Sequence, residues 1–274
     1  MSSPRRAIAI VVNGPSSAGK STLCTALHRA LVRRCATDPR LAFFRVSFDD
    51  FLYAVHPSML PRSFLELTGG DLEGCASREP HDGLACFEYV DMTGADDEDT
   101  TDRLARLELS EAGERFLKGQ TAGWGKHLEL GTNLLIDAFL QEKHWADDLR
   151  EAIHNSGAKV INVVMTCNQA ELERREKQRG DRFPGMARHS AGVVHKHKHG
   201  ETDLGIDETV STDDAVNSIL HHLDGLEASV NDTPGQTALT AQTGDVKGVI
   251  QRLQSKVQRA MESRSRLEAE NRRK

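Results

Sequence analysis

The feature that most constrains this chain is an apolar segment that runs directly into a glycine- and serine-rich turn. Residues 7–12 read AIAIVV, and residues 14–21 read GPSSAGKS. The second segment fits the pattern G-x-x-x-x-G-K-S, in which backbone N–H groups wrap around a polyphosphate. A buried strand, a phosphate-binding loop (P-loop) and a helix are therefore predicted in that order, which is the beginning of an α/β fold.

Each fixed position of the loop has a chemical reason. Gly14 and Gly19 are expected to allow backbone conformations that a Cβ atom would forbid. Lys20 is predicted to reach the β- and γ-phosphates of a nucleotide, and Ser21 to offer its hydroxyl to Mg²⁺. A helix is expected to start near Lys20, because apolar residues follow at helical spacing. The predicted nucleotide-binding set is Gly14, Pro15, Ser16, Ser17, Ala18, Gly19, Lys20, Ser21 and Thr22.

The overall composition sets limits on the class of protein. The 274 residues carry a formal net charge of −6, which predicts neither a nucleic-acid nor a membrane partner for the chain as a whole. The five cysteines have no close pairing or metal-binding spacing and are interpreted as free thiols of a reducing compartment. No apolar run approaches the length of a transmembrane span. A cytoplasmic protein is therefore expected.

Strand-like and helix-like segments alternate along the chain. The predicted strands are 7–12, 41–46, 133–137 and 159–165. The predicted helices are 20–34, 111–130, 145–155, 169–177 and 213–223. This alternation predicts a three-layer α/β fold with a doubly wound parallel sheet.

The other regions are assigned by composition. Residues 54–106 are rich in Gly, Asp and Glu and are expected to form an insertion with short helices, with a solvated loop at 95–102. A domain at 1–224 is expected, then a linker at 225–245 and a helical tail at 246–274. The tail carries nine basic residues and three glutamates. A coiled-coil or polyanion-binding tail is one interpretation, but the short apolar stripe favours a solvated helix.

A P-loop by itself does not distinguish a GTPase, a motor ATPase and a small-molecule kinase. No Asn is followed by Lys, so the guanine-binding pattern N-K-x-D is absent from the sequence. The strand that ends in Asp137 continues with Ala138, where a motor ATPase would place a Glu that polarises water. These features favour a kinase.

Two adjacent acids, Asp49 and Asp50, follow the second predicted strand. Ligands of parallel α/β sheets bind at the carboxyl ends of the strands, so a carboxylate here can accept the proton of an attacking hydroxyl. The same residue types also cap helix N-termini well. Two neighbouring acids can serve both purposes, and the sequence does not separate them.

An arginine-rich segment, RREKQRGDR, occupies residues 174–182. Phosphoryl transfer builds charge on the moving group, and a segment of arginines that closes over it would neutralise this charge and exclude water. Arg179 and Arg182, which flank Gly180, favour such a lid, whereas Arg174 and Lys177 are expected to be solvated. Asp137 is predicted to orient Mg²⁺ through water, with a structural role in bonding loop amides as the alternative.

The P-loop occurs together with further strings that resemble the chloramphenicol phosphotransferase family, whose members are P-loop kinases that phosphorylate a small-molecule hydroxyl with ATP. These strings are Asn13 to Ser21, RGDR at 179–182, GMA at 185–187, VVH at 193–195, and Asp203, Asp207 and Thr209. The resemblance covers residues 7–53 and 107–222 and leaves out 54–106 and the tail.

The resemblance implies an adenylate-kinase-like parallel sheet with Mg²⁺ and ATP at the P-loop. It places the family's general base on Asp50 and the family's lid arginines on Arg175, Arg179 and Arg182. The sequence departs from the family at Ala138, where a second acid is expected, and throughout the segment after Pro57, which would line the acceptor pocket.

Together these features predict an ATP-dependent O-phosphotransferase with a small-molecule hydroxyl as the acceptor. A nucleoside or metabolite kinase of the same fold is one alternative. A non-catalytic nucleotide-binding module, which docks on a partner through its basic tail, is another. A homo-oligomer or a protein partner bound through residues 246–274 remains open.

Overall fold

A computed structural model describes residues 6–38, 41–50, 60–61, 85–93, 104–179, 183–196 and 204–231. Its main sheet has five strands, which are β1 (Ile8–Asn13), β2 (Phe43–Ser47), β5 (Asn133–Ala138), β6 (Lys159–Met165) and β7 (Leu204–Ile206). They are parallel and lie in the order β2-β5-β1-β6-β7. Because all five run in the same direction, their carboxyl ends meet at one edge of the sheet, where α/β proteins bind ligands.

Helices cover both faces of the sheet. They are α1 (Lys20–Cys35), α2 (Glu111–Glu129), α3 (Lys143–Ser156), α4 (Gln169–Arg179), α5 (Met186–Val193) and α6 (Thr212–Asn231). A first core cluster packs one face of the sheet against α1 and α6, and a second packs the other face against α2 and α3. Strand β1 is apolar along nearly its whole length, which suits a strand that is buried on both faces. The predicted three-layer α/β fold is confirmed.

The predicted elements of the main sheet and its helices are found within a few residues of their expected positions. The strand predicted at 159–165 has those bounds, and the helix predicted at 111–130 ends one residue earlier. Among the predicted elements the largest difference is α6, which continues to Asn231, although the sequence analysis ended it at 223. Strand β7 and helix α5 were not predicted. In the described part of the chain, no helix is long and apolar enough to cross a membrane.

The insertion contains strands where short helices were expected, so that prediction was wrong for its described part. Strand β3 (Phe87–Asp91) pairs with β4 (Ala105–Leu109) as an antiparallel hairpin. Gln141 holds this hairpin against the main sheet, since its side-chain amide donates to Leu107 O at 2.8 Å and accepts from Leu107 N at 3.3 Å. Apolar and polar residues alternate along β4, which suits a half-buried sheet, whereas in β3 the alternation stops at Val90.

The chain divides into two compact units, Met1–Ala228 and Ser229–Lys274. The predicted linker would begin inside α6, while the predicted tail and the loop at 95–102 lie outside the described residues. The division into domain, linker and tail stays a prediction.

Candidate active site

The P-loop joins the end of β1 to the start of α1, as predicted. Gly19 has a φ of 95°, in the left-handed region that favours glycine, and the helix begins at the next residue. Ser17 also has a positive φ, 64°, which is uncommon for a residue with a side chain. Its buried hydroxyl has no hydrogen-bond partner within the described structure. A left-handed serine with an unpaired hydroxyl marks this turn as shaped for a ligand, because such strain concentrates at functional sites.

Gly14 is required for a different reason from the one expected. Its φ is not positive, but a Cβ atom at this position would lie 2.8 Å from the carbonyl oxygen of Met165 and 3.0 Å from the Cβ of Met165. The loop therefore crosses the end of β6 at a distance that only glycine allows.

Lys20 folds back over its own loop. Its Nζ donates to the carbonyl oxygens of Gly14 at 2.8 Å and Pro15 at 2.9 Å, and lies 5.3 Å from the ring centroid of Phe139. The ammonium group is thus held at the mouth of the loop on a flexible side chain, from where it can be redirected to a phosphate oxygen.

A cleft opens between the P-loop, the end of β2 and the β3–β4 hairpin. Its lining residues are Ser16, Ser17, Gly19, Lys20, Ser21, Thr22, Ser47, Asp49, Tyr89, Leu107, Asp137, Phe139, Arg179 and Met186. The structure therefore brings together residues from the P-loop, the first of the two adjacent acids, Asp137 and one of the predicted lid arginines. A second cleft on the other side of the loop is shared by α4 and the loop before α6.

The two adjacent acids after β2 take different positions. Phe48 packs edge-on against the ring of Trp124, with 5.3 Å between ring centroids, and thereby fixes the start of this turn. Asp49 lines the cleft. Asp50 is exposed, and its Oδ2 accepts from the backbone N–H of Ser47 at 2.7 Å. The carboxylate of Asp50 thus closes the turn, whereas Asp49 faces the P-loop side.

Asp137 is the last residue but one of β5 and lies opposite Ser47 of β2, and only 5% of its side chain is exposed. Its Oδ2 accepts from Nη2 of Arg45 at 2.9 Å. The sequence analysis did not identify Arg45, because nothing in the β2 sequence tells which face an arginine occupies beside β5. Burial raises the pKa of the neighbouring Cys24 thiol, and the charge of Asp137 raises it further, whereas Arg45 and Lys20 oppose this rise.

The arginine-rich segment reaches the P-loop through α4. Nη1 of Arg175 donates to Ala18 O at 3.4 Å, while its Nε donates to Glu171 Oε1 at 2.7 Å. Hydrogen bonds from Arg174 and then Arg175 lower the pKa of Glu171 to about 2, so this carboxylate is ionised at neutral pH. Arg179 lines both clefts. The third predicted lid residue, Arg182, lies outside the described residues.

Two buried polar residues that the sequence analysis missed connect this segment to the P-loop. Glu176, with 7% of its surface exposed, accepts from the backbone N–H groups of Gly185 at 2.9 Å and Ala187 at 2.8 Å. Ser190 on α5 accepts from the backbone N–H of Ser16 at 2.9 Å. A charged residue within the hydrophilic α4 sequence gives no signal of burial, because its partners lie beyond the end of its own helix.

The cleft has the ligand types that a nucleotide-bound magnesium ion requires. Ser21 and Asp137 present a hydroxyl and a carboxylate to the same cleft. Mg²⁺ at phosphate sites takes one or two protein ligands and completes its shell with phosphate and water oxygens. The described residues contain no group of three or more His, Cys, Asp or Glu residues that could hold a metal ion. Ser21 and Asp137 fit a metal that takes its other ligands from phosphate and water oxygens.

The parallel strand order and the P-loop after the central strand define an α/β protein of the P-loop kinase-like fold. The chain belongs to the chloramphenicol phosphotransferase-like protein family, whose model matches residues 7–224. The match includes the insertion at 54–106, which the resemblance in sequence left out.

Individual relatives are distant. The chain is 26% identical over 202 residues to "Putative O-phosphotransferase Rv2636" of Mycobacterium tuberculosis (strain ATCC 25618 / H37Rv), covering 74% of this chain and 75% of that protein. Among solved structures it is similar to the M. tuberculosis APS kinase, with 14% identity, 81% of this chain and 99% of that chain covered, and a TM-score of 0.48. It is also similar to a gluconokinase from Sinorhizobium meliloti 1021, with 15% sequence identity and a TM-score of 0.46. That match covers 84% of this chain and 99% of the gluconokinase chain.

Proposed function

We propose that this protein is an ATP-dependent O-phosphotransferase that moves the γ-phosphate of ATP to a hydroxyl of a small molecule. The observation that carries the proposal is the placement of Asp49 and the P-loop residue Lys20 on one cleft. A phosphate cradle with a carboxylate facing it is the minimal equipment for activating a hydroxyl next to a polyphosphate. The family match supports the reaction class.

The residues of the site have distinct roles in the proposed phosphoryl transfer. The loop amides and Lys20 hold the phosphates of ATP, and the N-terminal end of α1 adds positive potential. Ser21, and Asp137 through water, would hold Mg²⁺, which would neutralise charge on the phosphates when bound. A carboxylate of the Asp49–Asp50 pair takes the proton of the acceptor hydroxyl. The acceptor oxygen then bonds to the γ-phosphorus, the bond to the β-phosphate oxygen breaks, and ADP leaves. Arg175 and Arg179, together with Arg182, would stabilise charge on the transferred group.

Part of the cleft wall is apolar, beside the polar residues that also line it. Tyr89 and Leu107 of the hairpin, Phe139 and Met186 all line it. Tyr89 also stacks on Phe183, with 5.2 Å between ring centroids and 20° between ring planes. Such a wall favours an acceptor whose hydroxyl is carried on a scaffold with an apolar face over a uniformly charged acceptor.

The reaction class is tested by a coupled ATP assay over hydroxylated antibiotics and metabolites, with chloramphenicol included. We expect acceptor-dependent ADP release that Lys20→Met abolishes. Absence of ATP consumption with every hydroxyl acceptor would favour the nucleotide-binding module instead.

The general base is tested by paired substitutions. We expect Asp49→Asn to lower kcat by about two orders of magnitude while leaving ATP affinity unchanged, since general-base catalysis contributes about 10²–10⁴-fold. Asp50→Asn keeps an oxygen that accepts from Ser47 N–H and is expected to affect kcat much less. The opposite outcome would assign the base to Asp50, where the family resemblance places it. Full activity of both variants would remove the pair from the mechanism.

A further inference from the structure

A chain of hydrogen bonds links the two residues that would hold the metal. Nη2 of Arg45 donates to Asp137 Oδ2 at 2.9 Å, and its Nη1 donates to Thr25 Oγ1 at 2.8 Å. Thr25 Oγ1 in turn donates to the carbonyl oxygen of Ser21 at 2.7 Å. One guanidinium on β2 therefore connects the carboxylate at the end of β5 with the first turn of α1, where the P-loop ends.

The ion pair between Arg45 and Asp137 is partly buried, so the charge of Arg45 acts strongly on Asp137. The Asp137 side chain is 5% exposed and that of Arg45 is 28% exposed, so solvent screens their interaction less than that of a surface pair. Arg45 supplies a permanent counter-charge, because a guanidinium does not lose its proton in proteins.

The positive charge of Arg45 also affects the binding of ligands in the cleft that Asp137 lines. Without Arg45, the carboxylate would present a full negative charge to an incoming polyphosphate and would repel it. The carboxylate would also attract a divalent cation more strongly, because the guanidinium would no longer compete for it. Arg45 thus shifts the cleft toward nucleotide binding without a metal and away from a strict dependence on the metal.

We propose that Arg45 is a tethered cation beside the magnesium site, whose charge partly offsets that of Asp137 and so reduces the dependence of nucleotide binding on Mg²⁺. The inference rests on the proposed function only in requiring that a nucleotide binds at the P-loop. It does not require the acceptor or the transfer step.

The test measures binding rather than turnover. The dissociation constant of a non-hydrolysable ATP analogue is determined with the full chain, once in EDTA and once in excess Mg²⁺, and the ratio of the two is the magnesium enhancement. Arg45→Gln keeps a hydrogen-bond donor and removes the charge, whereas Arg45→Lys keeps the charge. We expect Arg45→Gln to raise the enhancement about tenfold, a modest effect for one charge near a partly buried site. For Arg45→Lys we expect an enhancement close to that of the unsubstituted chain.

A matched control uses the same substitution in a different ion pair. Arg34 of α1 pairs with Asp224 of α6, with Nη1 and Oδ1 2.5 Å apart. Arg34→Gln is expected to leave the magnesium enhancement unchanged. An Arg45→Gln protein whose enhancement is unchanged or lower would overturn the proposal, since Arg45 would then be structural only or required for metal binding.

A second variant covers the case in which Arg45→Gln does not fold. Asp137→Asn removes the negative partner and leaves the guanidinium charge uncompensated, so the analogue is expected to bind several-fold more tightly in EDTA. Unchanged or weaker binding in EDTA would overturn the proposal.

If the analogue binds as expected but no acceptor is ever phosphorylated, only the proposed reaction fails. If the unsubstituted chain binds no nucleotide at all, both fail.

Discussion

Single residues of the P-loop are constrained by contacts that the motif does not state. The two glycines show this well, because Gly19 needs its left-handed backbone, whereas Gly14 needs the space beside Met165. A motif records which residue type is required but not the physical reason. The reasons lead to different expectations for the same substitution.

Gly14→Ala is expected to destabilise the fold and weaken nucleotide binding. The added Cβ would meet Met165 O at 2.8 Å, and either the loop or the end of β6 must move. Overpacking of this kind costs about 1–3 kcal/mol of unfolding free energy. Urea titration and analogue binding measure the two effects.

The control for this prediction is Gly123→Ala on α2, where an added Cβ has nothing within 4 Å. It is expected to stabilise the protein by about 0.5–1 kcal/mol, because alanine is the better helix former. A Gly14→Ala protein as stable as the unsubstituted chain would show that the close approach is readily relieved.

At the scale of elements, α5 is the part that ties the arginine-bearing α4 to the P-loop. Glu176 of α4 binds the backbone N–H groups at the start of α5, and Ser190 of α5 binds the first part of the loop. Both residues are buried, so these contacts are made away from solvent. A helix of eight residues is thus fixed at one end by a carboxylate and in its middle by a loop amide.

Ser190→Ala is expected to weaken binding of the ATP analogue several-fold, because the Ser16 N–H loses its partner and the loop loses an anchor. A buried donor left unpaired also costs about 1–3 kcal/mol of stability. Isothermal titration calorimetry and thermal unfolding separate the two effects.

Ser156→Ala is the matched control, since Ser156 also donates to a carbonyl and accepts from an N–H, at the end of α3. It is expected to reduce stability without changing nucleotide affinity. Equal effects of the two variants on affinity would argue against a specific anchoring role for Ser190.

At the scale of the whole molecule, the main structural question is where the domain can end. Helix α6 packs into the core that covers one face of the sheet through Ala215, Val216, Ile219 and Leu223. Lys159 of β6 also donates to Leu226 O at 3.1 Å. A domain that ended at 224 would cut through this helix.

A chain that ends at residue 231 is expected to keep the melting temperature and analogue affinity of the full chain. A chain that ends at residue 211 loses all of α6 and is expected not to fold, because four buried core residues are removed. Circular dichroism and analogue binding on the two truncated proteins test this. Loss of nucleotide binding in the longer one would assign residues 232–274 a role in the site.

The sequence by itself determined the α/β class, the P-loop, four strands of the main sheet and five of the helices that cover it, whereas β7 and α5 were found only in the structure. Those features depend on local patterns: apolar periodicity, glycine positions and the spacing of Lys20 and Ser21. The family resemblance was also readable from short strings. These signals are strong because each is contained within a few neighbouring residues.

Only the tertiary structure decided how distant residues meet. In the folded chain Arg45 pairs with Asp137, and Asp49 rather than Asp50 lines the cleft. A hairpin forms where short helices were expected. Such pairings depend on strand register and on which face a side chain takes when strands far apart in sequence become neighbours. The physical reason is that a buried charge or amide chooses its partner by proximity in space, and local sequence does not encode that proximity.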